Sequence, residues 1–325
     1  MDGESNDRCC PTRARRPVGA TSTQAGLILE RWLSIHPFGG RRKLDLRGSS
    51  TIRILRFSVS RVTGVIAAGF SVLASPNPSG QPLLTEARAA FYNARFDHAA
   101  ALTLDLCAAG HLDACELRTS ALLMQIKRAI GDPRDKDKAF KACEECQALF
   151  EAFLRDTTRG QAEARAKLKA DPEDEAAQFL LGKLDLNYVW LQLGTLGRKT
   201  GWDEYWEGRR SLDAILKHNP HNLRAKVARA WIDYIVDTRM PRGTRWVLGG
   251  GSKKRALVAL REAAKADADV YTRAEARFGL WDVLVREKNF PEAIALAREL
   301  ARDFPANTDL PKFLEKHDPD SKSHE

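Results

Sequence analysis

A chain of 325 residues, 43% hydrophobic and 29% charged, can hold one or two domains and has an ordinary soluble-protein composition. Its net charge of +9 is unevenly placed: residues 1–61 carry 12 Lys and Arg against 5 Asp and Glu, and the rest carries 40 against 38. A near-neutral body lacks the basic patch that a nucleic-acid binder carries on its folded domain, so no nucleic-acid partner is expected.

Residues 1–52 show no sustained helical or strand period, and place Arg15, Arg16, Arg41, Arg42 and Lys43 among Gly, Ser and Thr. They read as a disordered basic leader or as a mis-assigned start. Arg53, Arg56 and Arg61 then precede an apolar run from Val62 to Ala74, which is followed by SPNPSGQP. Charged, apolar and small-residue regions in that order are the parts of an export signal over 53–74. The run is short for a bilayer span. Export to the periplasm or beyond is the preferred expectation. An uncleaved anchor at 62–74, the one membrane contact expected, and a helix buried in a cytoplasmic protein are the alternatives. Residues 75–81 read as a linker, 82–310 as a helical domain and 311–325 as a polar tail.

From Pro82 onward the pattern is helical. Ala87 and Phe91 mark a first face. A second helix opens at Phe96, carries Leu102 and Leu106, and stops at Gly110. The third bears Leu117, Ala121 and Met124. The fourth sets Ala139, Cys143, Cys146, Phe150 and Phe153 on one stripe, and a further stretch around Ala164 and Leu168 runs to Asp171-Pro172. Between there and Asn219-Pro220 lie two helices. One bears Ala177, Leu180, Leu181, Leu184, Tyr188 and Leu191. The other bears Trp202, Tyr205, Trp206, Leu212 and Leu216, with Thr200 and Asp203 as its expected capping box. Asn222 begins a helix through Trp231 and Ile235. After an irregular stretch, Arg239 to Gly251, Ser252 caps the next helix. Thr272 and Glu275 form an expected capping box for a helix with Phe278 and Trp281, and Pro291 opens the last hairpin helix, closed by Phe304-Pro305.

The last hairpin, AEARFGLWDVLVREKNFPEAIALARELARDFP, resembles a tetratricopeptide repeat. Leu280, Trp281 and Leu284 match the first-helix positions, Phe290 the turn aromatic, Ala293 the second-helix alanine and Pro305 the closing proline. Leu181-Gly182 with Pro220, and Phe96 with Ala99, match parts of the same pattern. The prolines at 172, 220 and 305 do not keep the family's period of about 34 residues. The resemblance implies a divergent all-α array of antiparallel hairpins wound into a right-handed superhelix. It also implies a non-enzymatic scaffold whose inner face receives a protein or peptide. Phe179, Lys183, Asn187, Asp282 and Arg286 are the residues it places on that face.

Arg242, Arg245 and Trp246 in the irregular stretch form a second expected contact, since long loops often carry function. The alternative is an enzyme or enzyme subunit holding an anionic ligand there. Gly249-Gly250-Gly251-Ser252 precedes a helix, but the phosphate-loop pattern GxxxxGK[ST] is absent. Cys143 and Cys146 lie on an apolar stripe and read as buried core cysteines. Disulfides among Cys107, Cys115, Cys143 and Cys146, with no pairing readable from the sequence, become worth testing if the chain is exported, and zinc is the least favoured reading. No catalytic constellation, cofactor or metal is expected.

Overall fold

A computed structural model describes residues 80–319. The leader, the export or anchor segment and most of the linker lie outside the described residues. The helices are α1 (Gly80–Tyr92), α2 (Phe96–Leu102), α3 (Leu104–Ala108), α4 (Leu112–Ile130), α5 (Lys136–Ala142), α6 (Cys146–Ala170), α7 (Glu175–Val189), α8 (Trp202–His218), α9 (Leu223–Arg239), α10 (Lys253–Lys265), α11 (Val270–Arg286), α12 (Phe290–Asp303) and α13 (Asp309–His317). A π-helical turn, Trp190–Thr195, extends α7. No strand occurs among the described residues, so the body is all-α.

Two kinds of connection recur, and each has a local cause. The tight turns before α2 and α12 use the same backbone. Ala94 and Lys288 both sit at φ 58, and the following residues donate N–H to carbonyls five back, Arg95 to Ala90 and Asn289 to Leu284, each at 2.9 Å. This left-handed stop satisfies carbonyls that the helix end would otherwise leave unpaired. An aromatic, Phe96 or Phe290, then starts the next helix, and an alanine three residues on, Ala99 or Ala293, is fully buried.

The second connection is a proline turn, seen at Asp171-Pro172-Glu173-Asp174, Asn219-Pro220-His221-Asn222 and Phe304-Pro305-Ala306-Asn307. In each, the fourth residue's N–H returns to the first residue's carbonyl, at 3.2, 3.1 and 3.0 Å. The fourth side chain then accepts from the backbone of the next helix: Asp174 from Ala177, Asn222 from Ala225 and Asn307 from Leu310. Proline stops one helix, and two residues later an Asp or Asn starts another.

Helices neighbouring in sequence pack against one another, as α7 does on α8 and α9 on α10. The α7–α8 crossing is close because it is made of glycine. A Cβ on Gly182 would lie 3.2 Å from the Gly208 carbonyl, and one on Gly208 3.1 Å from the Gly182 carbonyl. Apolar stripes supply the core, with Phe153, Leu184, Leu191, Leu212, Ile232, Leu260 and Leu300 fully enclosed.

The structure corrects several boundaries. The expected stripe through Ala139 and Phe153 is not one helix: α5 ends at Ala142 and α6 begins at Cys146, then runs without interruption through Leu168. Thr200 does not cap α8, whose N-cap is Gly201 at φ 92. Thr272 lies inside the first turn of α11, and Asp269 is the cap, accepting from the Tyr271 and Thr272 amides. Gly80 and Gln81, expected in the linker, are the first residues of α1. Residues 311–317 of the expected polar tail belong to α13, where Phe313 packs edge-on against Trp281 at 5.3 Å.

The first helix also touches α11 and the turn between α12 and α13. The Tyr92 ring lies 6.1, 5.6 and 5.4 Å from Tyr271, Phe278 and Phe304. Asn307 donates to the Tyr92 carbonyl at 2.7 Å, and the Ala306 amide to Asn93 Oδ1 at 3.0 Å. Arg128 of α4 pairs with Asp309 at 2.6 Å. Aromatic packing with paired polar rims is how stable helix contacts are built.

Candidate functional site

The sequence points to two places, an inner helical face and the 239–251 loop. On the inner face, helical spacing of three to four residues along α7 puts Phe179, Lys183 and Asn187 in one row. The row is filled by the chain itself. Phe179 is buried under the Arg224 guanidinium, 4.2 Å from its ring centre. Lys183 Nζ lies 2.7 Å from Glu275 Oε1 and 3.7 Å from Glu116 Oε1. Arg224 reaches the other Glu275 oxygen at 3.2 Å. Asn187 is buried and donates to Thr119 Oγ1 at 3.1 Å and Ser120 Oγ at 3.0 Å.

Four charges from four helices thus meet inside the body: Glu116 of α4, Lys183 of α7, Arg224 of α9 and Glu275 of α11. Burial opposes the Glu275 charge, but the Lys183 and Arg224 cations outweigh it and hold the carboxyl at about 2. Burial likewise opposes the Lys183 charge, and Glu275 and Glu116 turn the balance, so its ammonium titrates above the usual range. Each charge is kept because its partner is kept.

Asp185, two residues along α7, has no cation paired with it. It is fully buried, accepts one hydrogen bond from Gln161 at 2.7 Å, and leaves Oδ2 without a protein partner. Burial, with the Glu207 charge adding to it, pushes the carboxyl up to about 8.

Asp282 and Arg286 pair with each other across one turn of α11, both contacts at 3.0 Å. The Arg286 guanidinium also lies 5.8 Å from the Trp231 ring centre. This pair is more open to solvent than the interior cluster.

The 239–251 loop is held by its base. Arg209 of α8, buried, donates to the carbonyls of Leu248 and Gly249 at 2.9 and 2.8 Å, and Tyr205 Oη donates to the Leu248 carbonyl at 2.8 Å. A Cβ on Gly249, which sits at φ 77, would lie 2.7 Å from the Arg209 guanidinium carbon. The glycine run lets the backbone close on an arginine. Asp237 of α9 binds Arg245 on one oxygen and the Lys253 amide, at 2.8 Å, on the other. The amides of Gly249 and Gly250 are taken by the carbonyls of Trp246 and Arg245. Two loop amides and the Lys253 amide are thus already paired, and the Asp237 carboxylate sits at the start of α10.

At the tip, Arg242 is exposed and Trp246 is 60% exposed, against the half-buried Arg245. The two expected places are thus opposite in character: an interior closed by its own ion pairs, and a braced loop that displays a large aromatic. Sequence reasoning missed Glu116, Arg224, Arg209 and Asp237. Glu275 had a signal that pointed elsewhere, its spacing from Thr272.

The four cysteines of the body are bonded as Cys107–Cys115 and Cys143–Cys146. Cys107, Cys115 and Cys146 are buried and Cys143 is half-buried, so the core-thiol reading gives way to two disulfides. Among the described residues no three His, Cys, Asp or Glu side chains gather as a metal site, and no helix is long and apolar enough to cross a membrane. No family model, curated protein or solved structure matches this chain.

Proposed function

We propose that residues 80–319 form a tetratricopeptide-like array, a right-handed superhelix of antiparallel hairpins, that works as a non-enzymatic protein-interaction module. The recurrence of one tight turn at Ala94 and Lys288 and of one proline turn in three places supports the repeat reading. In this chain the partner is met by the 239–251 loop and not by the inner face, whose polar side chains are already engaged. The observation that carries this is Trp246, 60% exposed on a loop anchored by Arg209 and Asp237. A rigidly presented Trp beside Arg242 gives up little entropy on binding, and Trp and Arg dominate interface energetics. Arg245 braces this contact, and the Asp282–Arg286 pair offers a polar rim. The two disulfides favour an oxidising compartment and with it the export reading.

The test is affinity capture from the native organism with the full chain and with Trp246→Ala and Arg242→Ala. One set of proteins retained by the wild-type chain and lost with either variant, at unchanged melting temperature, supports the proposal. Retention by both variants, or loss only in variants that unfold, removes it.

A further inference from the structure

Of the two disulfides, one is sealed and one is within reach of solvent. Cys107 and Cys115 are 0% and 1% exposed. No thiolate can approach either sulfur without opening the core. The Cys143–Cys146 pair is built differently. Cys143 stands half-buried in the break between α5 and α6, while Cys146 is wholly buried as the first residue of α6, a helix of 25 residues. Glu145, the N-cap of α6, makes no side-chain cap bond, and the first turn holds no acidic residue. The pair closes a ring of only four residues, so it restrains the unfolded chain far less than a long-range bridge would.

We infer that Cys143–Cys146 is a redox-active disulfide that exchanges with dithiols of extended peptides or unfolded chains. The order of events follows from access. A substrate thiolate attacks Cys143 Sγ and forms a mixed disulfide. The Cys143–Cys146 bond breaks, and Cys146 Sγ leaves with the electron pair at the positive end of the α6 dipole, where a thiolate is favoured. It then takes up the proton that the first substrate thiol released. The second substrate thiol gives up its proton and attacks its own chain's sulfur in the mixed disulfide. That closes the substrate disulfide and releases Cys143 as a thiolate, which accepts this proton. The substrate loses two electrons and two protons, and the cysteine pair gains them. A low-molecular-weight disulfide restores the bonded form by the reverse exchange. Glu144 and Glu145, both exposed, flank the entry and favour substrates with basic residues near the thiols.

The experiment uses the full chain with Cys9→Ser and Cys10→Ser, so that the leader thiols play no part. It is equilibrated in mixtures of reduced and oxidised glutathione, alkylated and mapped by mass spectrometry. Cys143 and Cys146 should become alkylated together at a reduced-glutathione fraction that leaves Cys107–Cys115 bonded, and at least about tenfold faster, since exchange follows access. In the same background Cys146→Ser should trap glutathione on Cys143. The wild-type pair should oxidise a reduced two-cysteine peptide, and Cys143→Ser should not. Reduction of both bridges together, greater resistance at 143–146, or no trapped glutathione on Cys143 in a folded Cys146→Ser protein would overturn the assignment. The alkylation map needs no variant at either site, so a misfolded variant leaves the decision intact.

Discussion

The interior row on α7 and the loop after α9 carry similar side chains, a lysine or arginine near an aromatic, yet their fates are opposite. Lys183 is spent on Glu275 and Glu116, and Phe179 lies under Arg224. Trp246 and Arg242 are left in solvent because the work of holding their loop falls to other residues, Arg209 and Asp237. A polar or aromatic residue is available for a partner only when the charges around it are balanced without it.

The contrast breaks first at Glu275. Glu275→Gln leaves the half-buried Lys183 and Arg224 with a reduced counter-charge, and it should cost about 2–3 kcal/mol, read as a fall in the urea midpoint at unchanged slope. Replacing Lys183 with Met in the same protein should restore part of the loss. Strict additivity of the two changes would mean that the cluster is not coupled.

Arg209→Lys is expected to cost about 2–3 kcal/mol, because an ammonium cannot reach the Leu248 and Gly249 carbonyls together and a buried acceptor is left unpaired. The same variant should be cut faster by trypsin at Arg242 and Arg245. Unchanged cleavage would show that the loop is not braced from below.

Asp185 gives a change of about 1.4 kcal/mol for each pH unit. Its carboxyl is held up to about 8 in the fold and ionises near 4 when unfolded. The native state therefore holds an extra proton between those values. Its contribution is complete below about pH 4, declines as pH rises and is gone above 8. Asp185→Asn should flatten that decline and be the more stable protein at pH 8. Glu275, held at about 2, acts in the other direction. Its contribution is present above pH 4.5 and disappears as pH falls towards 2. A denaturation series from pH 3 to 9 separates the two slopes.

The smallest effect belongs to the tip. Trp246→Ala should change stability by no more than about 0.5 kcal/mol, as an exposed site does, while removing partner capture. A large loss of stability would show that the ring packs on the body in solution.

The helical class, most element positions and the three proline turns were legible in the sequence, because apolar period and Pro followed by Asp or Asn act within one or two turns of chain. The caps at Asn222 and Ser252 were legible for the same reason. The break at 143–145 was not, since Ala139, Cys143 and Cys146 keep helical spacing across it. Nor was the use of the inner row. Glu116 and Glu275 lie 67 and 92 residues from Lys183, and nothing local marks two glutamates as the partners of one lysine. Glu275 reads as a cap from its neighbours and as a counter-ion only when four helices are assembled.

The meeting of α1 with α11 and with the α12–α13 turn through Tyr92 and Asn307 bears on how such a protein can change over generations. An open array can gain or lose a hairpin at its end and leave the others as they were. Here Tyr92 of α1 packs on Phe278 and Phe304, so a rearrangement that moved α11 or the end of α12 would part it from its stack. Changes of length are better tolerated at the exposed tip of 239–251, as at other exposed loop tips.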